Sequence, residues 1–506
     1  MSSLLSHVYS AGLLGIDAYR IDVELHISLG LPTWNTVGLP ESAVKESKER
    51  VISAVHNCAY DFPYRKITIN LAPADIKKEG TAYDLPIAVG LLGAAELIPQ
   101  ERLLDYLLVG ELSLTGKVRK IRGALSIALL AKELRLKGII LPAENYGEAA
   151  VVEGIEVLGA QNLPQVVEFL TLGRAIPPPA SKPKKRKPES SEPLDLADVR
   201  GQAYAKRALE IAAAGFHNVA MVGPPGTGKT MLASRLPTLL PEMKFEESLV
   251  TTKIYSLMGL TSKDASLIRE RPFRSPHHTI SDAGLIGGGT HPKPGEVSLA
   301  HNGVLFLDEL TEFHRNVLES LRQPLESGQV TIARALQSIT YPARFLLVAA
   351  FNPCPCGHAN NVQGLCHCSL AQLKKYRAKI SGPLFDRIDL RVEVPPVSFE
   401  DLTSARKEEP SESIQCRVLK AQERQVRRLR DQGLFFNSQM GSRTIRRTCA
   451  LDEGGQRILE SAMKKWGLSA RAFDRTLRVA RTISDLQEEE QISSASLSEA
   501  IQYRLG

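Results

Sequence analysis

The chain has 506 residues, of which 43% are hydrophobic and 24% are charged, and its formal net charge is +7 at pH 7. This length predicts two to four domains, and the composition excludes a fibrous or largely disordered protein. We expect no membrane span, because no apolar run is long enough, and no signal peptide, because the N-terminus lacks a basic segment. Four of the seven cysteines are clustered, which favours a reducing cytoplasm over a disulfide framework. The mild positive charge is compatible with a nucleic acid partner but does not establish one.

Residues 1–172 alternate between strand-like and helix-like patterns. Apolar residues at every second position from Ile21 to Ile27 predict a half-buried strand, and residues 67–71 repeat that period. Helical spacing over 41–58 and an apolar stretch over 83–97 predict two helices. We therefore expect a mixed α/β domain here, with no nucleotide-binding signature.

Residues 173–194 are rich in proline, serine and lysine and contain a basic run at 182–187. Such a composition cannot form a core, so it predicts a linker between domains. The basic run has two interpretations, a solvated spacer or a contact to a phosphate backbone, and the spacer is the favoured one.

A second α/β region follows over 195–396. A helical stretch at 203–214 precedes short apolar runs at 219–222, 301–310 and 345–350, and helices between strands indicate a parallel sheet. Residues 397–506 are helical in pattern and carry basic faces, with Arg424, Arg427, Arg428 and Arg430 as examples. We expect a parallel-sheet domain with a Cys-rich insertion at 354–368, followed by a helical bundle over 397–506, which the family resemblance described below identifies as the helical lid.

A glycine-rich turn between the 219–222 strand and the next helix fits the P-loop pattern. Its residues are Gly223, Pro224, Pro225, Gly226, Thr227, Gly228, Lys229 and Thr230. Backbone N–H groups in such a loop close around a phosphate chain, and the following helix adds its positive dipole end. The pattern assigns Lys229 to the β- and γ-phosphates and Thr230 to Mg²⁺. The alternative, a glycine-rich turn without a ligand, is disfavoured by the flanking strand and helix.

Two acidic residues, Asp308 and Glu309, end the strand of the 301–310 segment. We expect Asp308 to hold Mg²⁺ with Thr230, and Glu309 to orient the water that attacks the γ-phosphate. Asn352, which ends another strand, is expected to help hold that water. Two exposed acids without a role are the competing interpretation, and the P-loop in the same domain disfavours it.

Four cysteines follow Asn352 directly, at Cys354, Cys356, Cys366 and Cys368. Four thiolates can close a tetrahedral zinc site, with His358 and His367 as alternative ligands. The Cys-x-Cys spacing is less usual than Cys-x-x-Cys, so reduced thiols without a metal remain the alternative. We favour a small structural zinc site.

These motifs together resemble an AAA+ ATPase of the magnesium-chelatase-like branch, and more closely the ComM (YifB) competence protein family. The resemblance covers essentially the whole chain. It rests on the P-loop, the VLFLDEL strand and further stretches at 199–202, 273–280, 287–295, 351–353 and 381–388.

The resemblance implies a ring, expected to be a hexamer, with ATP bound where two subunits meet. Arg387 matches the arginine finger that stabilises charge on the neighbour's γ-phosphate. Arg471 matches the sensor-2 arginine of the lid, and Arg475 and Arg478 on the same helix are alternatives. The competing interpretation of each arginine is a surface ion pair.

The N-terminal region resembles the Lon-protease-type domain, whose chemistry needs a serine and a lysine. Ala82 lies at the serine position and Leu125 at the lysine position. Neither side chain can perform that chemistry. We therefore expect a peptidase-inactive scaffold that serves ring assembly or substrate entry.

The resemblance implies a DNA translocase that drives branch migration in natural transformation and recombination. Segments around His277, His278 and Lys293 and a hairpin at 334–338 are expected to face DNA in the central pore, without reading its sequence. The alternatives are a motor subunit of a metal chelatase and a protein-remodelling ATPase. The Lon-like domain argues against the first, and Ala82 and Leu125 argue against a proteolytic form of the second.

Overall fold

The structure is a computed structural model that describes residues 4–179, 194–261, 267–289, 292–333, 338–359, 366–403 and 407–505. The basic run at 182–187 and residues 334–337 of the expected pore hairpin lie outside the described residues. The chain forms two compact units. The first is Met1–Lys187 with Phe245–Ile268, and the second is Pro188–Lys244 with Arg269–Gly506. No helix in the described ranges is both long enough and apolar enough to cross a membrane.

The strands are β1 (Leu4–Leu14), β2 (Asp17–Ser28), β3 (Thr33–Val37), β4 (Lys66–Ala72), β5 (Tyr106–Leu108), β6 (Glu111–Leu112), β7 (Val118–Arg119), β8 (Gly138–Pro142), β9 (Glu156–Ala160), β10 (Val219–Val222), β11 (Phe273–Arg274), β12 (Gly287–Gly288), β13 (Lys293–Pro294), β14 (Val304–Leu307), β15 (Gln329–Ala333), β16 (Ser338–Pro342), β17 (Leu346–Phe351) and β18 (Leu390–Glu393). The helices are α1 (Ser42–Lys45), α2 (Ser47–Asn57), α3 (Asp84–Ala94), α4 (Gln100–Leu103), α5 (Ala124–Glu133), α6 (Tyr146–Ala149), α7 (Leu163–Leu172), α8 (Ala203–Gly215), α9 (Lys229–Leu239), α10 (Phe245–Leu257), α11 (Asp282–Ile286), α12 (Glu296–Leu299), α13 (Arg315–Ser320), α14 (Arg322–Ser327), α15 (Leu370–Arg377), α16 (Gly382–Phe385), α17 (Phe399–Thr403), α18 (Ser411–Leu429), α19 (Ser442–Thr448), α20 (Glu453–Trp466), α21 (Ala470–Leu486) and α22 (Ser494–Leu505).

The first unit is built on a seven-stranded mixed sheet in the order β3-β4-β2-β1-β5-β8-β9. The long strands β1 and β2 pair antiparallel, whereas β5, β8 and β9 run parallel. The predicted mixed α/β fold and its strands are confirmed. The helix predicted over 41–58 is interrupted at Glu46, giving α1 and α2. The Ser47 hydroxyl donates to the Val44 carbonyl at 2.6 Å there, and such local bonds compete with a continuous helix.

One segment departs from the expected domain division. We expected 195–396 to be one continuous ATPase core, but Phe245–Ile268, which contains α10, belongs to the first unit. Within that unit Leu249 and Leu267 pack against an apolar cluster that includes α5. The Ser256 and Thr261 hydroxyls donate to the buried Glu148 carboxylate. Burial of these apolar and polar groups holds the segment there, although it is distant in sequence.

The second unit contains a fully parallel five-stranded sheet in the order β11-β14-β17-β10-β18. The strands β14 and β17 are almost entirely apolar and buried, as expected for a parallel sheet covered on both faces. Residues of this sheet and of the C-terminal helices form one shared hydrophobic core. The predicted parallel sheet and C-terminal helices are confirmed, and core and lid lie in the same compact unit.

Candidate active site

The P-loop follows β10 as predicted and leads into α9. Gly226 and Gly228 have φ of +79° and +86°, a region that side chains rarely adopt, so glycine is required at both turns. Gly223 is required for a different reason, because a Cβ there would lie 2.2 Å from the Val394 carbonyl oxygen. The loop geometry therefore depends on the glycines that define the motif.

The Lys229 ammonium lies inside this loop. Its Nζ donates to the Gly223 and Pro224 carbonyls at 2.7 and 2.8 Å, and Asn352 Oδ1 lies 3.4 Å away. Burial lowers the pKa of Lys229 from its usual value, and the Asp308 charge partly offsets that effect. The structure thus brings together Lys229 and Asn352, two residues far apart in sequence.

The two strand-end acids have different surroundings. Asp308 accepts a hydrogen bond from the Thr230 hydroxyl at 2.8 Å, which pairs the two residues expected to hold Mg²⁺. Glu309 is in the left-handed region at φ +50°, its side chain is 60% exposed, and Oε2 lies 3.5 Å from His278 Nδ1. The Glu309 carboxylate is therefore accessible to a substrate in the cleft.

These residues line one open cleft of about 820 Å³, a volume within the usual range for small-molecule sites. Its lining residues include Pro225–Met231, Asp308, Glu309 and Asn352. A phosphate chain, a hydrated divalent cation and an attacking water can be accommodated together by this set of cations, carboxylates and backbone N–H groups.

Arg387 lines a second, smaller pocket of about 300 Å³. Its guanidinium pairs with Glu326 and donates to the Pro383 carbonyl at 2.5 Å, and its side chain is only 11% exposed. Arg475 and Arg478 line the same pocket. Arg387 is thus grouped with lid arginines rather than with the P-loop of its own chain.

The arginines of α21 differ in what they contact. Arg475 donates to Asp389 at 2.8 Å. Burial alone would raise the pKa of Asp389, but Arg475, His217 and Arg478 outweigh it and hold that pKa well below its usual range. Arg471 is exposed near the start of α21 and lines neither of these two pockets. Arg475 is thus already engaged within its own chain, whereas Arg471 is exposed, and the sensor-2 assignment of Arg471 stays a prediction.

The four cysteines after Asn352 converge, with their Sγ atoms all within 4.8 Å of one another. The Sγ of Cys354 lies 3.3 Å from that of Cys356 and 3.8 Å from that of Cys366. Zinc–sulfur bonds of about 2.3 Å in a tetrahedron place sulfur atoms about 3.8 Å apart, so these thiols fit a zinc ion. Backbone donation from His358 is the main cause that lowers the pKa of Cys356, whereas for Cys366 and Cys368 backbone donation is outweighed by neighbouring thiols and burial, so that their pKa values are raised. The support for a metal site is therefore the convergence of the four sulfur atoms.

In the first unit, the positions matching the Lon serine and lysine meet in one apolar cluster. Leu125 is fully buried in it, and Ala82 packs against it, as do Leu249 and Leu267 of the inserted segment. The backbone N–H of Leu125 donates to Glu148 at 2.9 Å. The structure therefore shows an apolar cluster at the two positions where the chemistry would require a serine and a lysine. Sequence reasoning gave no signal for the inserted segment or for the role of Glu148.

Comparisons with known proteins agree with this geometry. A family model described as "Magnesium chelatase, subunit ChlI" matches residues 195–402, and models described as "Subunit ChlI of Mg-chelatase" and "Magnesium chelatase, subunit ChlI C-terminal" match 23–145 and 408–504. Together with the parallel sheet and the cleft, they define a magnesium-chelatase-like protein of the AAA+ class, a class of ATPases.

Relatives that match over almost the whole chain identify the family within this class. Competence protein ComM of Haemophilus influenzae is 45% identical over 503 residues, covering 99% of this chain and 97% of the relative. YifB of Escherichia coli is 46% identical over 502 residues with the same coverage. Lon protease 2 of Bacillus subtilis is 35% identical over 162 residues, covering 30% of this chain and 28% of that protein. The chain belongs to the ComM (YifB) family.

Proposed function

We propose that this protein is a ring-forming ATPase that couples ATP hydrolysis to translocation on DNA, and that it acts as a branch-migration helicase in natural transformation and recombination in the cytoplasm. The observation that carries its ATPase part is the convergence of Lys229, Asp308, Glu309 and Asn352 in one cleft. The DNA part is supported by the similarity to competence protein ComM, whose name indicates a role in competence.

In this proposal Thr230 and Asp308 hold Mg²⁺. When bound, the ion supplies positive charge to the phosphate oxygens during transfer. Lys229 binds the phosphate chain, Glu309 orients the attacking water and accepts its proton, and Asn352 helps to fix that water. Substitution Lys229→Ala should abolish nucleotide binding, whereas Glu309→Gln should keep binding and lose hydrolysis.

The proposal assigns Arg387 to the neighbouring subunit's nucleotide as the arginine finger, and Arg471 of the lid as the sensor-2 arginine. The support for Arg387 is that it lines a pocket with the lid residues Arg475 and Arg478 and is absent from the lining of its own P-loop cleft. A planar guanidinium stabilises the charge that develops on the transferred phosphoryl group.

A mixing experiment tests this assignment and the oligomer. Lys229→Ala and Arg387→Ala proteins should each be inactive, and both should still form hexamers by mass photometry. Mixed rings should regain ATPase activity, because an intact P-loop then meets an intact Arg387 at some interfaces. Full activity of the Arg387→Ala protein alone would contradict the assignment.

Two hairpins support DNA binding in the pore. The β12–β13 and β15–β16 hairpins are connected by the Tyr341 hydroxyl, which donates to the Pro292 carbonyl at 2.7 Å. Lys293 is exposed on the first hairpin. A contact from the Lys293 ammonium to the phosphate backbone of DNA would need no base recognition. His278 Nδ1 lies 3.5 Å from the Glu309 carboxylate, so the expected DNA-facing segment adjoins the residue assigned to the attacking water.

DNA dependence is tested by measuring ATP hydrolysis with and without single-stranded or branched DNA. We expect stimulation that weakens as salt rises, since phosphate contacts release counterions. Lys293→Ala should reduce the stimulation without changing basal hydrolysis. Absence of both stimulation and gel-shift retention would contradict the DNA proposal and favour the metal-chelatase motor, the alternative that the ChlI family matches support.

We also propose that Cys354, Cys356, Cys366 and Cys368 bind a structural zinc ion. Protein purified without chelator should contain about one zinc per chain. A content well below one equivalent, with all four thiols free to react with a thiol reagent, would contradict this assignment.

A further inference from the structure

Helix α15 forms one wall of the ATPase cleft, a role that the motifs did not indicate. Gln372, Lys375 and Tyr376 of this helix, and Lys379 just beyond it, line the same cavity as the P-loop. Lys374, the neighbour of Lys375, is exposed and does not line it. The helix therefore presents two ammonium groups to the space where a nucleotide would bind.

This wall is fixed at both of its ends. At its start, Ser369 and Gln372 form a reciprocal capping box directly after Cys368. Near its end, the largely buried Tyr376 accepts a hydrogen bond at 2.9 Å from the hydroxyl of Thr311. The wall thus begins immediately after the cysteine cluster in the chain, and near its end it is bonded to the turn after Glu309.

The contacts of the wall place it at the phosphate end of the cleft. Lys379 Nζ lies 3.2 Å from Glu312 Oε1, and both side chains are about half exposed. Glu312 belongs to the turn that begins immediately after Glu309, the residue assigned to the attacking water. Lys379 is therefore beside the hydrolytic acids and not at a distant end of the cavity.

The charges in the cleft lead to the same conclusion. The acids Asp308, Glu309 and Glu312 and the three lysines Lys229, Lys375 and Lys379 line it together. In the part of the chain that the structure describes, Lys375 forms no ion pair, so its charge is not already neutralised. A triphosphate brings several negative charges into this space, more than one P-loop lysine neutralises.

We propose that Lys375 and Lys379 bind the β- and γ-phosphates of the nucleoside triphosphate held by the P-loop of the same chain, and that the cysteine cluster positions them. This inference rests on the proposed ATPase function. Lys379 exchanges Glu312 for the nucleotide, which frees that carboxylate beside Glu309. The cluster acts through helix α15, so its cysteines are positioning residues and not catalytic ones.

The test compares Lys375→Ala, Lys379→Ala and the matched control Lys374→Ala in the full-length protein. Equilibrium binding of fluorescent ATP, ADP and AMP analogues is measured for each. We expect each cleft variant to bind ATP about tenfold more weakly, which is about 1.4 kcal/mol. AMP binding should be unchanged, and Lys374→Ala should match the wild type. Equal ATP affinity in all four proteins would overturn the lysine assignment.

A parallel arm tests the cluster through Cys366→Ser/Cys368→Ser, with metal content and ATP affinity as readouts. We expect the metal to be lost and ATP affinity to fall to that of a Lys375→Ala/Lys379→Ala double variant measured alongside, with AMP affinity unchanged. Metal loss at unchanged ATP affinity would overturn the positioning role. Failure of the proposed ATPase function would be recognised by a different result: the wild type would not bind ATP, or Lys229→Ala would bind it normally.

Discussion

Replacing Glu309 by glutamine separates the chemistry of the cleft from its stability. The contact between Glu309 and His278 spans 3.5 Å, with the two side chains 60% and 30% exposed. Ion pairs exposed to this extent contribute at most about 1 kcal/mol. The backbone N–H of Glu309 donates to Asp308 at 2.9 Å, and this bond survives the substitution. We therefore expect the melting temperature to change by no more than about 4 °C.

The same substitution should strongly reduce hydrolysis. A glutamine cannot accept a proton from the attacking water, and general base catalysis contributes about 10²- to 10⁴-fold. This factor corresponds to about 3 to 5.5 kcal/mol of activation free energy. The assay combines steady-state phosphate release with filter binding of labelled ATP, which should remain at the wild-type level. Hydrolysis within about threefold of the wild type would refute the role assigned to Glu309.

Three further substitutions or conditions test other parts of the structure. Asp485 is fully buried between two arginines, so Asp485→Leu should lower the free energy of unfolding by about 3 to 5 kcal/mol, as measured by thermal unfolding. The control Glu488→Gln, which removes an exposed ion pair, should lower it by less than about 1 kcal/mol. Burial, and next the Arg344 charge, lowers the pKa of His301 to about 3. Between about pH 6.5 and 3 the unfolded chain therefore binds a proton that the folded chain does not, so the free energy of unfolding should fall as the pH drops, by about 2 kcal/mol at pH 5. His301→Asn should remove this contribution to the pH dependence of stability. The double variant Ala82→Ser/Leu125→Lys should cleave no peptide, because the second position is fully buried among apolar groups, and cleavage blocked by a serine-directed inhibitor would contradict this.

The parts of the site that sequence predicts well are local. The P-loop is recognised because its positive-φ glycines, the strand before it and the helix after it are neighbours in the chain. The acids after β14 and Asn352 after β17 line the same cleft, since the carboxyl ends of parallel strands meet at one edge of a sheet. These assignments needed only the period and the order of the elements.

The parts that sequence did not predict depend on long-range packing. Helical spacing alone cannot show which partners the arginines of α21 take, because the 2.8 Å bond between Arg475 and Asp389 joins residues 86 positions apart. The inserted segment Phe245–Ile268 follows the P-loop helix in sequence, yet it is held by Glu148 and apolar groups of the first unit. Neither contact leaves a pattern in the residues nearby.

The most direct test of the account is a branch-migration assay on a four-way DNA junction with matched ATPase measurements. The wild type should separate the junction into duplex products by branch migration with ATP and not with a non-hydrolysable analogue. Lys229→Ala and Glu309→Gln should both fail, the first without and the second with bound nucleotide. Junction processing by Glu309→Gln at the wild-type rate, or a wild type that hydrolyses ATP at the same rate with and without DNA and leaves the junction intact, would contradict the claim that ATP hydrolysis in this cleft moves DNA.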